Sequence, residues 1–286
     1  MTYIGRFAPT PTGPLHFGSL VAALASYLDA KANNGQWLLR IEDLDPPRED
    51  PSASQLIQQQ LIAHGLLWDG AIQFQSEHGQ RYEEVLALLS LKNRVFPCHC
   101  SRKNLAMQNG LHHGKCDCLP SQPHALRLLV SDTQESFKDG VYGHYQQHMN
   151  EVGDQVLKRK DGLYAYQLAV LVDDYDSGIT HVVRGVDLLD NTPRQIHLLS
   201  QLDWPIPKYM HIPLVTNLQG QKLSKQNQAT AINTKTPIIN LLEALKFLHQ
   251  PLPPEAFTND LPTLLTWAAN HWLPDQIPNS TLGLID

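Results

Sequence analysis

The sequence predicts an α/β protein: a doubly wound parallel sheet of Rossmann type, with a small insertion and a short helical C-terminal region. Three observations carry that prediction. The chain opens as strand, loop and helix. Strands and helices keep alternating to about Lys92 and again beyond about Asp154. The stretch between them breaks the pattern and holds all four cysteines. Such alternation builds a parallel sheet covered by helices on both faces, with ligands at the carboxyl ends of the strands. The 286 residues, 42% hydrophobic and 17% charged, are enough for a sizeable core. No apolar run is long enough to span a membrane and no positively flanked apolar leader is present, so a cytoplasmic protein is expected, and a monomer.

Residues 2 to 8 read as the first strand, and Pro9, Pro11 and Gly13 hold an extended loop. Leu20, Ala23, Leu24, Tyr27 and Leu28 then recur at helical spacing, which predicts a helix over Ser19 to Lys31. A strand over Gln36 to Asp43 follows, then a helix from Ser52 to His64 with Ser52 as N-cap, and another from Gly79 to Lys92. Residues from about His124 to Asp161 read as short strands and turns. The sheet resumes after an apolar stretch that closes on Asp173 and Asp174, with a strand over Ile179 to Arg184. Thr192 as N-cap and Pro193 at the first position open a helix to Leu202. Ile212 to Thr216 is strand-like, and helices are expected over Pro237 to His249 and Leu261 to Trp272. The domain boundaries follow: 1–94 with 155–230 as the sheet domain, 95–154 as the insertion, 231–286 as the C-terminal region.

The first strand-to-helix turn is where chemistry is expected. Backbone N–H groups and the positive end of the helix dipole converge there, which suits a phosphate or carboxylate. Gly18 allows close approach to the main chain, and His16 can offer a ring N–H. Far down the chain, Lys222-Leu223-Ser224-Lys225-Gln226 sits in a Gly-containing loop, and its two lysines can reach one polyphosphate. The cysteines form two close pairs, Cys98-His99-Cys100 and Cys116-Asp117-Cys118. Without a secretion signal this grouping points to a metal rather than disulfides, with zinc the default for thiolate-rich sites. Convergence of all four cysteines on one ion is possible but not required.

Together, His16-Phe17-Gly18-Ser19 and Lys222-Leu223-Ser224-Lys225-Gln226 resemble the two signatures of class I aminoacyl-tRNA synthetases. Gly5-Arg6-Phe7-Ala8-Pro9-Thr10-Pro11-Thr12-Gly13, followed by Leu38-Leu39-Arg40-Ile41-Glu42-Asp43-Leu44-Asp45, resembles the glutamyl branch. Pro46-Pro47-Arg48-Glu49 narrows the resemblance to the glutamyl-Q tRNA(Asp) synthetases, over residues 3 to about 230. Two departures from class I in general, Ser19 in place of a second histidine and Gln226 in place of serine, are marks of that subfamily.

The resemblance implies a class I catalytic domain that activates L-glutamate with ATP and Mg²⁺ as glutamyl-adenylate, without need of tRNA. Glutamate then passes to the queuosine base in the anticodon loop of tRNA(Asp). His16, Lys222 and Lys225 are implied as catalytic, and Gly18, Ser19 and Ser224 join them in binding ATP. Arg6 and Arg184 would read carboxylates, at least one of them by bidentate pairing; Glu42 would take the ammonium, Ala8 and Thr10 form the wall, and Tyr166 supplies a hydroxyl. A structural ion pair with Arg40 is the competing role for Glu42. The family's metal pattern implies a structural zinc on Cys98, Cys100, His112 and Cys116, with histidine where the family usually has tyrosine; Cys118, His113 or His99 could replace His112. The 60 residues beyond the lysine loop are too few for the large anticodon-binding region of a glutamyl-tRNA synthetase. A truncated enzyme of that kind charging a 3′ end, and a non-catalytic zinc-stabilised RNA-binding relative, are the competing readings. The net charge of −6 does not advertise a nucleic-acid binder, so docking is expected on a local patch, Lys158-Arg159-Lys160 with Arg194.

Overall fold

The computed structural model describes residues 2–106, 110–116, 123–216, 230–280 and 282–284. Three parallel strands, β1 (Ile4–Phe7), β2 (Gln36–Ile41) and β3 (Gln73–Phe74), pair in the order β1-β2-β3. They are separated by α1 (Phe17–Ala32) and α2 (Ala53–Ala63), and α3 (Gly79–Leu91) follows. The stretch after α3 supplies β4 (Val95–Cys98), α4 (Arg102–Ala106), β5 (Ala125–Leu128), β6 (Gln134–Asp139), β7 (Gly143–His148) and, just past the expected insertion boundary, β8 (Gln155–Lys158). Of these, β4, β5 and β8 form an antiparallel sheet and β6–β7 a hairpin.

After α5 (Tyr166–Asp176), β9 (His181–Gly185) and, beyond α6 (Thr192–Leu202), β10 (Lys208–Ile212) pair in parallel, and β9 lies beside β1. The hairpin joins this sheet where β6 meets β10 at Asp139 and Tyr209. The chain ends through β11 (Leu214–Thr216), α7 (Pro237–Phe247), α8 (Leu261–Asn270) and β12 (Leu282–Leu284), the last parallel to β11. Among the described residues no helix is long and apolar enough to cross a membrane.

Side chains alternate across a strand, and the strands of this sheet use both faces. Leu39, Val183 and Met210 join α1, α7 and α8 in one core. Their neighbours Leu38, Val182 and Tyr209 join Ile4 and Ile196 of α6 in another cluster. A further core ties α3, α5 and α6 through Tyr82, Leu86, Leu168, Leu171 and Leu198. The sheet is therefore covered on both sides, as the alternating pattern predicts.

Two helix starts differ from expectation. The first helix begins at Phe17, because His16 takes the N-cap with its ring: Nδ1 accepts the Ser19 N–H at 3.2 Å. Ser19 thus lies within the first turn and does not cap it. Thr192 is likewise the first helical residue rather than the cap, and its hydroxyl is engaged by Arg184 at 2.8 Å.

Candidate active site and metal centre

Four strands of the sheet each carry a polar residue two positions beyond an apolar one: Arg6 after Ile4, Arg40 after Leu38, Arg184 after Val182 and His211 after Tyr209. The period of two puts all four on one face, toward the carboxyl ends, where an open parallel sheet binds ligands. A cavity of about 600 Å³ lies there, and Arg6, Ala8, Thr10, Glu42, Tyr166 and Arg184 all line it. The six residues named for glutamate from sequence thus converge, although they span 179 positions of the chain. The Glu42 N–H donates to the Pro9 carbonyl at 3.0 Å, which ties the Ala8–Thr10 loop to the end of β2.

The two arginines are held differently from a pair of open forks. Arg6 gives Nε and Nη2 to Asp174 at 3.0 and 3.2 Å. Arg184 gives Nε to His211 at 3.1 Å and Nη2 to Thr192 and Gln195 at 2.8 and 2.7 Å. In both, the paired edge is taken by protein, and Nη1 is what remains for a ligand; that of Arg184 also donates to the Tyr166 hydroxyl at 3.4 Å. In the ligand-free protein the Nε–Nη2 edge of each guanidinium is thus engaged by other side chains.

Arg40 does not pair with Glu42 by hydrogen bond. It donates to Asp174 at 2.5 Å and stands 4.0 Å from Asp173. Burial drives the Asp174 carboxyl up, but Arg40 and Arg6 more than offset it and hold it below the usual carboxylate range. Asp173 is satisfied by Gln75 at 2.6 Å, His78 at 2.7 Å and Tyr82 at 2.9 Å. The Glu42 carboxylate is half-buried in the cavity wall and makes no hydrogen bond among the described residues. Burial raises its pKa to about 7 despite Arg40 and Arg6.

His16 stands at the start of α1. With Nδ1 accepting from Ser19, the proton of the neutral ring is on Nε2. A Cβ on Gly18 would sit 3.2 Å from that ring, so glycine there lets the imidazole lie over the first turn. Val215 of β11 lies beside Gly18, and Ala231 bridges to His16. The chain therefore leaves β11 and returns at this same helix start. Lys222, Ser224 and Lys225 lie outside the described residues.

In the insertion, Cys98, Cys100, His112 and Cys116 bring four ligand atoms within 4.8 Å of one another. Cys100 and Cys116 sulfurs are 3.6 Å apart, and His112 Nε2 is 3.4 Å from the Cys98 sulfur and 2.9 Å from that of Cys116. Tetrahedral zinc, with bonds of about 2.3 Å to sulfur and 2.0 Å to nitrogen, needs such edges. The cluster holds His112 rather than the exposed His113; Cys118 lies outside the described residues. His112 Nδ1 faces Asp154 at 2.9 Å, so the Nδ1–H donates to the carboxylate and Nε2 keeps its lone pair toward the sulfurs.

These geometries can be set beside known proteins. Residues 4–118 and 115–238 match the profile of tRNA synthetases class I (E and Q), catalytic domain. The chain is 46% identical to the glutamyl-Q tRNA(Asp) synthetase of Neisseria meningitidis strain Z2491, over 98% of this chain and 99% of that one. It is 48% identical to the protein of that name from Thiobacillus denitrificans, over 96% of this chain and 95% of the relative. The fold also matches a glutamate-tRNA synthetase from Elizabethkingia anophelis, with a TM-score of 0.85 at 22% identity, covering 100% of this chain and 68% of that one. The chain belongs to the glutamyl-Q tRNA(Asp) synthetase family.

As a member of that family it is an aminoacyl-tRNA synthetase-like ligase on a class I catalytic fold. Beside the residues foreseen for a glutamyl-Q synthetase, the structure adds Asp174, His211 and Asp139 to the support of the site, and Leu44, Asp45, Arg48, Gln75, Arg159 and Tyr164 to the cavity wall. For Asp174 the sequence signal was a carboxylate closing an apolar run, and for Asp139 an Asp-Gly turn. The basic run foreseen as a docking patch is largely neutralised: Lys158 pairs with Glu83, Arg159 with Asp161 at 2.6 Å, and Lys160 donates to the His99 carbonyl at 2.5 Å.

Proposed function

We propose that this enzyme activates L-glutamate as glutamyl-adenylate without tRNA and transfers it to the queuosine base in the anticodon loop of tRNA(Asp). The observation that carries the reading is one cavity bearing two guanidinium N–H groups and an unbonded carboxylate, a complement to glutamate's two carboxylates and one ammonium. Arg6 and Arg184 orient the carboxylates, Glu42 holds the ammonium, Tyr166 contributes its hydroxyl, and Ala8 and Thr10 shape the wall. At about 600 Å³ the cavity has room for more than glutamate, which suits a site where acyl donor and acceptor meet. The name glutamyl-Q tRNA(Asp) synthetase, carried by the relatives, supports tRNA(Asp) as the partner.

In activation, a glutamate carboxylate oxygen attacks the α-phosphorus of ATP in line and pyrophosphate leaves, with charge growing on the phosphoryl oxygens. No protein nucleophile is needed; position and electrostatics carry the step. His16 Nε2–H, the Gly18 N–H at the start of α1 and the Ser19 hydroxyl meet the phosphates, Lys222 and Lys225 stabilise the developing charge, and Ser224 contacts the nucleotide, which arrives with Mg²⁺. A hydroxyl of the cyclopentenediol ring then attacks the acyl carbon and AMP departs. Zinc on Cys98, Cys100, His112 and Cys116 is structural, since four protein ligands leave no open position. The enzyme acts as a monomer in the cytoplasm, where its tRNA substrate is found.

The test is transfer of labelled glutamate to purified tRNA(Asp) with and without queuosine, alongside ATP–pyrophosphate exchange in the absence of tRNA. Exchange without tRNA, and label only on the modified tRNA in a form removed with the base, is the expected result. Label on both tRNAs or on tRNA(Glu) would make the enzyme a 3′-end synthetase, and absence of exchange would remove the adenylate step.

A further inference from the structure

The Arg184 guanidinium is aimed by a chain of contacts that begins outside the strands it belongs with. Its Nε–H donates to His211 Nε2 at 3.1 Å, which requires a lone pair on that nitrogen. The proton of the neutral ring is then on Nδ1, 2.6 Å from Asp139 Oδ2. His211 and Asp139 are 0% and 1% exposed, so neither can exchange these partners for water. Asp139 is itself fixed by the N–H groups of Val141 and Tyr142 at 2.9 and 3.0 Å and of His211 at 3.1 Å. It ends β6, whose only pairing to β10 is at this residue.

We propose that His211 and Asp139 are positioning residues for glutamate recognition: Asp139, reaching in from the inserted hairpin, fixes the His211 tautomer, and His211 turns Arg184 so that Nη1 faces the cavity beside Tyr166. This rests on the reading of Arg184 as a glutamate contact. Thr192, Gln195 and the Leu188 carbonyl hold Nη2, and the Tyr209 ring lies 5.4 Å from the guanidinium carbon; the acceptor at Nε fixes the remaining corner of the plane. Were the ring reversed, Nε2 would carry a proton against the Nε–H of Arg184, and two donors would face each other in a buried site.

The test uses ATP–pyrophosphate exchange by the full chain with glutamate and ATP varied separately, and thermal unfolding as a check on folding. His211→Gln places an amide oxygen near the Nε2 position; His211→Asn reaches only the Nδ1 position and leaves the Arg184 Nε–H unmatched. We expect H211N to raise the glutamate KM about tenfold or more while the ATP KM stays within about twofold, H211Q to stay within about threefold of the parent, and Arg184→Ala to raise the glutamate KM about a hundredfold. Equal glutamate KM values for H211N and H211Q, with R184A impaired, would overturn the positioning role alone. A folded R184A with an unchanged glutamate KM would overturn the reading of Arg184 and the inference with it. If both His211 variants fail to fold, Asp139→Asn, which sets an amide N–H against the donors now facing the carboxylate, is read in the same assay, and an unchanged glutamate KM there overturns the proposal.

Discussion

Glu42 sits where the cavity wall has stripped most of its water, and with a pKa of about 7 it is partly protonated near neutrality. An ammonium needs the ionised form, so kcat/KM for glutamate should fall as pH drops through about 7, and Glu42→Gln should lose that limb. The neutral variant should also raise the glutamate KM by at least about thirtyfold, since one partner of a desolvated charge pair is worth about 2 kcal/mol or more. Stability runs the other way. A carboxyl raised in the folded state keeps its proton longer there than in the unfolded chain, so folding loses stability as pH rises from about 4.5 to 7. E42Q should therefore melt above the parent at pH 8 and level with it at pH 4; equal melting at both would show that burial does not strain this group. That Arg6, Glu42 and Arg184 would meet in one cavity was legible through motif match. Asp174, His211 and Asp139 were not, because what defines them is a partner 168, 27 or 72 residues away.

The insertion's Cys3His cluster, a candidate metal site, is built from short elements that depend on one another. Cys98 ends β4, while His112 and Cys116 lie on the connection toward β5, held by Asp154 just before β8. Gly153 makes the approach possible: its φ is +72°, and a Cβ there would stand 2.8 Å from the His112 carbonyl. His112→Ala should weaken zinc binding at least about tenfold in a competition titration, while His113→Ala should not, and equal losses would return the fourth ligand to open choice. The cysteine spacing announced a metal, but only folding could choose between neighbouring histidines, since the choice depends on Asp154, 42 residues from His112. The same limit applied to α6, where Thr192 had the composition of a cap and found a better use for its hydroxyl in Arg184.

Across the whole molecule, the alternation of strands and helices was enough to foresee a sheet covered on both faces, because period two along a strand and 3.6 along a helix are local properties. Which helices cover which face was not local. The C-terminal helices pack on α1, with Leu241, Leu245 and Leu264 fully or nearly fully buried in the core that contains Leu20, Leu24 and Leu28. Leu241→Ala should cost about 2–5 kcal/mol in urea unfolding. Ile239→Ala, at a position 59% exposed on the same helix, should cost far less, and equal losses would place α7 outside the core.

That arrangement also sets an order of events during synthesis. Helix α1 is made more than 200 residues before α7 and α8. Until they arrive, an apolar flank of the helix that bears His16 has no cover, and the contacts that close it span more than 200 residues. Such late, long-range closure slows folding and leaves a nascent chain open to aggregation. A chain stalled before α7 should therefore bind holdase chaperones through α1, and one extended past α8 should not.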